Sequence, residues 1–527
     1  MGHSPAVSEP VPFANWARIE AVVIGNHQFE AARRIAEKLR EAGYEAYLAG
    51  GCVRDLLLGR EPVDYDVATS ATPEVVLDLF PRTYAVGAHF GVVLVAPEAA
   101  EARFITEVAT FRSDGAYSDG RHPDEVRYTL LAEEDVQRRD FTINGLLLDP
   151  LRVVEGGFEF GPHPSGKNKS AARVEHLRSG KATADPSLRQ SAEADRFAQD
   201  DSAVFGGTAL RAAVLDYVGG LADLEAGIVR AIGRPKVRFE EDRLRLLRAV
   251  RFAARFGFEI EEGTKAAIRA LASRIASVSR ERVRDELTKM LTEGRARRAF
   301  ELLDETGLLH EVLPEIERMK GVEQPPQFHP EGDVWIHTLM LLEQLAAGCS
   351  MTLAWGALLH DVGKPPTFRR GPDRIRFDGH VEVGSAMAAA ICRRFRFSNE
   401  ETRQVLALVD NHMRFMDAGR MKESTLKRFF RLDRFDEHLE LHRMDCMAAS
   451  GNLDHWNFVR ERREQMPEEV VRPRPLITGR ELIAAGYKPG PAFSKMLHAA
   501  EDAQLEGVVQ TVDEALRLIR EKFGTGD

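Results

Sequence analysis

The strongest constraint on this chain is the segment at positions 47–70, YLAGGCVRDLLLGREPVDYDVATS. Its apolar start ends at Gly50 and Gly51, which can adopt backbone conformations closed to other residues. A short apolar helix is predicted next, and the DYDV segment then alternates carboxylate and apolar side chains, as a strand does. Because side chains two residues apart on a strand point the same way, we expect Asp64 and Asp66 to share a face.

That shared face predicts a metal site. Two carboxylates a few ångströms apart repel each other unless a cation lies between them. Mg²⁺ typically binds one or two carboxylates together with substrate phosphates. The backbone amides of Gly50 and Gly51, with Arg54 at the start of the short helix, are suited to a triphosphate. We therefore predict that Asp64 and Asp66 hold Mg²⁺ against a nucleotide.

A second polar cluster lies in LAEEDVQRRDFTINGLLLDP, at positions 131–150. An acidic helix is predicted to lead into Arg139 and Asp140, followed by apolar residues. We expect Asp140 to lie near the first two carboxylates, where it would complete the metal site and orient a primer 3′-hydroxyl. Arg139 would reach a phosphate, and Asn144 a ribose.

The combined pattern GGxVRDxLLGRxPxDYDVAT and RRDFTIN resembles the DNA polymerase beta-like nucleotidyltransferases, and more narrowly the class II tRNA nucleotidyltransferases and bacterial poly(A) polymerases. Gly145 stands where that family usually has alanine. The resemblance extends over positions 27–152 and 211–527. It implies an α+β chain in which a small nucleotidyltransferase head is followed by an all-α body.

The segment RFEEDRLRLLRAVRFAARFGF, at positions 238–258, has apolar residues at helical spacing. Arg245, Arg248 and Arg251 recur every three residues and so stay on one side of the predicted helix. A solvated, salt-bridged face is the plain interpretation of such a pattern. However, EDxxRxLRAxRF resembles the nucleotide-selecting helix of CCA-adding enzymes. That resemblance implies that Asp242 and Arg245 read the amino group and ring nitrogen shared by CTP and ATP, while the other two arginines face phosphate or ribose.

Positions 331–450 contain histidines and a vicinal His-Asp pair that follows an apolar helix. This arrangement resembles the HD-domain metallophosphohydrolases. The resemblance implies one metal set and an added second set, namely His337, His360, Asp361 and Asp445, with His380 and His412. Nitrogen and oxygen ligands without thiolate favour a divalent transition metal or Mg²⁺ over structural zinc.

A chain of 527 residues is too long for one hydrophobic core. The polar, Gly/Ser/Ala-rich composition of positions 153–210 cannot bury enough apolar surface to become ordered. We predict an N-terminal arm (1–26), the head (27–152), a disordered insertion (153–210), a nucleotide-selecting neck (211–275), a helical body (276–330), an HD domain (331–450) and a helical tail (451–527). Positions 112–126 are predicted to be a mobile loop beside the nucleotide site.

Four cysteines without CxxC spacing and the lack of a long apolar run predict a cytoplasmic protein that is not in a membrane. A net charge of −10 argues against indiscriminate nucleic-acid binding, yet permits RNA on a local basic face.

The predicted function is addition of C and A to the 3′ end of tRNA, with tRNA, CTP and ATP as partners. Addition of A alone and poly(A) synthesis are alternatives. A third, of another class, is an HD-type phosphohydrolase with an RNA-binding front half. The oligomeric state stays open.

Overall fold

The computed structural model describes residues 26–84, 91–96, 104–114, 126–153, 212–327, 329–330, 332–372 and 374–525. These residues form two compact units, which divide between Leu271 and Ala272. Nearly all of the predicted arm and insertion lies outside the described residues, as does the interior of the predicted loop at 112–126.

The first unit is built on a seven-stranded mixed sheet with the strand order β3-β4-β5-β2-β1-β8-β9. Its strands are β1 (Ala46–Ala49), β2 (Val67–Thr69), β3 (Thr83–Tyr84), β4 (Val92–Val95), β5 (Thr106–Thr110), β8 (Leu147–Leu148) and β9 (Val214–Leu215). Two small ladders add β6 (Arg112–Asp114) with β7 (Val126–Tyr128), and β10 (Ile228–Val229) with β11 (Glu259–Ile260). The β6–β7 ladder frames the predicted loop.

The parallel pairing of β2 with β5 positions the head carboxylates. Val67 lies opposite Val108 in this register, so the residues just before them, Asp66 and Glu107, are neighbours at one edge of the sheet. The other neighbour of β2 is β1, which pairs with it antiparallel and ends at the glycine turn.

Helices surround the sheet and continue beyond it. They are α1 (His27–Glu41), α2 (Gly51–Leu57), α3 (Pro73–Leu79), α4 (Ala132–Gln137), α5 (Gly220–Ala226), α6 (Pro235–Glu241), α7 (Arg245–Phe256) and α8 (Glu262–Leu271), with 3₁₀ turns at Thr142–Asn144 and Pro150–Arg152. Phe29, Ala32, Ile35 and Leu39 recur at helical spacing in the sequence and are buried in α1, which the side chain of Asn26 caps.

Two local expectations differ from the structure. Asp64 and Asp66 precede β2 instead of lying within it. Their exposure still alternates as a strand's would: Asp64 is exposed, Tyr65 is buried and Asp66 is half-buried.

The single helix expected over 238–258 is broken. α6 ends at Glu241, α7 begins at Arg245, and Asp242 between them has the extended angles φ −138° and ψ 105°. The Asp242 carboxylate accepts a hydrogen bond from the Leu244 backbone N–H at 3.0 Å. Such a local side-chain bond competes with the helical ladder, which explains the break.

The second unit is helical apart from one two-stranded ladder, β12 (Arg369–Arg370) with β13 (Ile375–Arg376), among the residues that the structure describes. Its helices are α9 (Arg280–Thr292), α10 (Ala296–Glu305), α11 (Leu308–Val312), α12 (Pro314–Glu317), α13 (Val334–Glu343), α14 (Met351–Leu359), α15 (Lys364–Thr367), α16 (His380–Arg394), α17 (Asn399–Asn411), α18 (Glu423–Phe430), α19 (Phe435–Ala448), α20 (Asp454–Glu464), α21 (Glu468–Val471), α22 (Gly479–Ala484), α23 (Ala492–Leu505) and α24 (Val512–Phe523). There are 3₁₀ segments at Ala272–Ser277 and His412–Arg420.

The predicted α+β class, with a sheet-containing head and a helical body, is confirmed. In the described parts of both units, no helix combines the length and apolar character needed to cross a bilayer.

Candidate functional site

Three carboxylates lie close enough to interact electrostatically at the edge of the head sheet. Asp64 and Asp66 were expected there from the sequence, and the parallel β2–β5 pairing adds Glu107. Burial and the like charges of Asp64 and Glu107 raise the pKa of Asp66 to about 7, while Arg139 opposes the shift. The excess negative charge and the oxygen-only donor set fit a hard divalent cation such as Mg²⁺.

Sequence reasoning missed Glu107. The available signal was a single carboxylate in the alternating strand ITEVATF. A pattern within one strand does not say which strand lies beside it, so the sequence did not identify Glu107 as the neighbour of Asp66.

The carboxylate of Asp140 is hydrogen-bonded through both of its oxygens. Its Oδ2 accepts hydrogen bonds from Arg248 Nε and Nη2 at 2.8 and 2.6 Å. Its Oδ1 accepts from the Phe141 backbone N–H and Asn144 Nδ2 at 2.8 and 3.0 Å. Burial alone would raise the pKa of Asp140, but Arg248 and Asn144 hold it well below its usual range. The carboxylate expected to complete the metal site therefore fixes the neck helix to the head.

Gly50 is the glycine that the turn requires, whereas Gly51 has room for a side-chain carbon. Gly50 has a positive φ of 75°, and a Cβ there would lie 3.0 Å from Arg139 Nη1. At Gly51 a Cβ would come 3.6 Å from Arg54 Nη2. Arg139 also donates to Asp135 Oδ2 at 2.9 Å. The guanidinium expected to bind phosphate is therefore held over the turn by a buried carboxylate.

Arg54 and Asn144 contact each other instead of facing an open pocket. Arg54 is 5% exposed and donates to Asp55 Oδ1 at 2.9 Å and to Asn144 Oδ1. Its guanidinium lies 4.6 Å from the centre of the Phe256 ring. With Asp140 they form a buried chain of hydrogen bonds from α2 to α7.

The neck arginines are held in the same way. Arg245 donates to Glu241 Oε2 at 2.9 Å, and to the backbone carbonyls of Arg238 and Arg138 at 3.0 and 3.1 Å. Arg251 is buried, and its guanidinium lies 4.4 Å from the centre of the Phe252 ring. Arg248 pairs with Asp140 as described.

Glu241 is the neck residue that sequence reasoning left without a role. Its Oε2 also accepts a hydrogen bond from Arg238 Nη1 at 2.6 Å, so it holds two arginines beside the helix break. Asp242, the expected base reader, is half-buried at that break.

A separate cluster lies in the second unit. The ligand atoms of His337, His360 and Asp445 lie within 4.8 Å of one another, and so do those of Asp361, His380 and His412. All six residues predicted for the HD site are thus in these two groups.

Asp361 faces both groups. Its Oδ2 lies 3.1 Å from His360 Nε2 and 3.9 Å from His337 Nε2. Its Oδ1 lies 3.9 Å from His412 Nε2 and 4.0 Å from His380 Nε2. The carboxylate therefore offers one oxygen to each group.

The histidine rings are oriented for metal binding. The Nδ1 atoms of His360, His380 and His412 lie 2.9, 3.0 and 2.7 Å from backbone carbonyl oxygens. Because a carbonyl oxygen only accepts, each Nδ1 carries the proton and each Nε2 keeps its lone pair. In the described part of the chain these buried Nε2 atoms have no hydrogen-bond partner. Burial lowers the pKa of His412 to about 4, so its ring is neutral at neutral pH. Such rings, held by their second nitrogen, fit a divalent transition metal.

Comparison with known proteins identifies relatives along most of the chain. It is 33% identical to the CCA-adding enzyme of Lactobacillus johnsonii over 319 residues, which cover 60% of this chain and 64% of that enzyme. It is 36% identical to that of Geobacillus thermodenitrificans over 280 residues, or 53% and 54% of the two chains. The match thus spans about half to two thirds of these relatives. The enzyme of Leuconostoc mesenteroides is 28% identical over 499 residues, 94% of this chain and 97% of the other.

Solved structures share the fold. The CCA-adding enzyme of Bacillus stearothermophilus in complex with CTP superposes with a TM-score of 0.64 at 23% identity, covering 94% of this chain and 98% of that one. The CCA-adding enzyme of Thermotoga maritima complexed with tRNA superposes with a TM-score of 0.52 at 15% identity, covering 97% and 99%.

The mixed sheet with its glycine turn gives the first unit the fold of a nucleotidyltransferase head. Residues 46–158 match the family described as "Poly A polymerase head domain", residues 257–320 that described as "Probable RNA and SrmB-binding site of polymerase A", and residues 380–519 that described as "tRNA nucleotidyltransferase domain 2 putative". Over these segments the chain is similar to poly(A) polymerases and tRNA nucleotidyltransferases, and over nearly its whole length it is similar to a CCA-adding enzyme.

Proposed function

We propose that this chain adds C and A nucleotides to the 3′ end of tRNA without a nucleic-acid template. One observation carries the proposal: the Arg138–Asp140 segment hydrogen-bonds to the neck and also lies within electrostatic reach of Asp66. Arg139 acts electrostatically on Asp66, and the Arg138 carbonyl accepts a hydrogen bond from Arg245 at 3.1 Å. The short Arg138–Asp140 segment thereby links the reaction centre to the residues that would read the base. Relatives named as CCA-adding enzymes support the same activity.

Nucleotidyltransferases of this family use divalent metal ions such as Mg²⁺. In this chain Asp64, Asp66 and Glu107 would hold the metal at the sheet edge. When bound, Mg²⁺ neutralises phosphate charge and lowers the pKa of an attacking hydroxyl. The Gly50–Gly51 amides and Arg139 would orient the triphosphate beside those carboxylates.

Base selection is assigned to the helix break. Asp242 accepts from the exocyclic amino group that C and A share, and Arg245 donates to their ring acceptor. U and G present the opposite donor pattern, so this pair would reject them. Glu241 serves as a positioning residue, because it holds the guanidinium of Arg245 on the side of the Arg138 carbonyl.

The decisive experiment incubates the purified chain with Mg²⁺, CTP, ATP and tRNA transcripts that end before, within and after the CC positions. Sequencing of the products should reveal completion of CCA on every transcript. Products that gain only A on CC-ended tRNA would identify an A-adding enzyme, and long A tails would identify a poly(A) polymerase. Incorporation that survives in the Asp64→Ala, Asp66→Ala double variant would refute the metal assignment.

We also propose a second activity, hydrolysis of phosphate esters at the six-residue cluster of the second unit. The observation that favours it is the set of buried Nε2 lone pairs facing a two-sided carboxylate. A metal bound there would lower the pKa of a water molecule for attack on phosphorus.

Hydrolysis of p-nitrophenyl phosphate and of 2′,3′-cyclic AMP, with Mn²⁺, Ni²⁺ or Mg²⁺ added in turn, tests the second activity. The His360→Ala, Asp361→Ala double variant should lose hydrolysis and keep CCA addition. The Asp64→Ala, Asp66→Ala variant should show the reverse. A chain that hydrolyses esters but never extends tRNA would instead be a phosphohydrolase with an RNA-binding front half.

A further inference from the structure

A loop between α12 and α13 passes beside the six-residue cluster and contributes a buried amide to it. The loop is closed at its base by the bridge between Glu323 and Asp333. Next to that bridge lies Gln324, which is only 3% exposed. Neither the nucleotidyltransferase reaction nor the six ligands use this residue.

Lys364 connects Gln324 to the cluster. The buried ammonium lies 2.7 Å from Asp361 Oδ2 and donates to Gln324 Oε1 at 2.7 Å. An ammonium group donates only, so the amide oxygen of Gln324 must be the atom that faces it. The hydrogen bond from Lys364 therefore fixes the orientation of the Gln324 amide.

That orientation leaves Gln324 Nε2 as a buried donor. In the part of the chain that the structure describes, this nitrogen has no hydrogen-bond partner. Buried polar groups are nearly always hydrogen-bonded, so a donor of this kind marks a place for a bound acceptor. Through Oε1 and Lys364, the amide is two hydrogen bonds away from the carboxylate that faces both ligand groups.

We infer that Gln324 binds substrate at the phosphohydrolase site and donates from Nε2 to a non-bridging oxygen of the phosphate ester. The inference rests on the proposed second activity and names its substrate class: an ester with at least one unsubstituted anionic phosphate oxygen. Lys364 then has two roles, since it neutralises part of the charge of Asp361 and fixes the amide so that its donor faces the anion.

The test uses Gln324→Glu in the full-length chain loaded with Mn²⁺. This change keeps an oxygen for Lys364 but replaces the Nε2 donor with an anionic oxygen that repels phosphate. We expect KM for p-nitrophenyl phosphate to rise by at least about tenfold, with kcat changed by less than about threefold. The matched control is Gln465→Glu, the same chemical change at an exposed position after α20, which should leave both constants unchanged. An unchanged KM in Gln324→Glu overturns the inference while leaving the phosphohydrolase activity in place.

Binding of inorganic phosphate, measured by titration calorimetry, provides a readout without turnover. The wild-type chain and Gln465→Glu should bind phosphate at the cluster, whereas Gln324→Glu and the uncharged Gln324→Met should bind it at least about tenfold more weakly. Circular dichroism confirms that each variant is folded. If the wild-type chain hydrolyses no ester and phosphate binding still depends on Gln324, the second activity fails, whereas the assignment of Gln324 as a phosphate-binding residue stands. If phosphate binds equally to all four proteins, the inference is overturned.

Discussion

Glu107 is the residue at which the head site can be tested most cleanly. Its side chain is exposed, so the change Glu107→Gln removes charge beside Asp66 without opening the core. We expect nucleotide incorporation to fall by about 10²–10³-fold, because one of three groups that would hold the metal is lost. Single-turnover incorporation of labelled CTP measures the effect. The control is Glu134→Gln on α4, an equally exposed carboxylate. Wild-type rates in Glu107→Gln at limiting Mg²⁺ would exclude Glu107 from the site.

Asp140 offers a second test at the residue scale, since two roles predict different losses. As the partner of Arg248, it should contribute mainly to stability: Asp140→Asn leaves a half-buried guanidinium without its counter-charge. We expect the free energy of unfolding to drop by about 2–4 kcal/mol. Urea denaturation at pH 7 measures it. If the variant keeps its stability but loses nucleotide incorporation completely, the result would assign Asp140 to the metal site.

At the scale of elements, α19 contains a titratable group in an apolar setting. Burial lowers the pKa of His438 from 6.5 to about 4, with Glu437 opposing the shift and Arg414 adding to it. Between these two pH values the unfolded chain binds a proton that the folded chain does not. The stability contributed by neutral His438 is therefore present above pH 6.5 and decreases as the pH falls toward 4.

We accordingly predict that His438→Leu weakens the pH dependence of stability. Between pH 7 and pH 4.5 the variant should lose about 1–3 kcal/mol less than the wild-type chain. Denaturant titrations of both proteins across that range provide the comparison, in which the other buried histidines cancel. Parallel stability curves would mean that His438 has the same pKa in the folded and unfolded chains.

The neck shows how contacts between elements change what one element can do. Arg245 and Arg248 stay on one side of α7, as their spacing predicts. What they contact depends on the Arg138–Asp140 segment, about a hundred positions earlier in sequence, through the carbonyl of Arg138 and the carboxylate of Asp140. The predicted arginine face is present, yet much of it is engaged in holding the neck to the head.

At the scale of the whole molecule, the two candidate sites belong to separate compact units and should respond to metal separately. A ligand that binds only the folded state stabilises it by about 2.7 kcal/mol at a hundredfold excess over Kd. We expect Mn²⁺ to raise the melting transition of the wild-type chain, as measured by scanning calorimetry after treatment with EDTA. The His360→Ala, Asp361→Ala variant should lose that shift, whereas Asp64→Ala, Asp66→Ala should keep it. An equal shift in both variants would place the metal elsewhere.

Much of this protein follows from its sequence alone. Helical spacing predicted α1, the glycine pair predicted the turn before α2, and the RRDFTIN and GGxVRD strings indicated the family. The six ligand candidates were also indicated by the histidine and aspartate residues at positions 331–450. These features depend on local backbone preferences and on short spacings, which a linear pattern records.

Only the tertiary structure decided which side chains meet. The parallel pairing of β2 with β5 places Glu107 beside Asp66, and the packing of α7 allows Arg248 to form an ion pair with Asp140. The choice between a metal ion and a guanidinium as the partner of a buried carboxylate depends on which charge comes within a few ångströms. That distance is set by the packing of elements far apart in the chain, and no local pattern contains it.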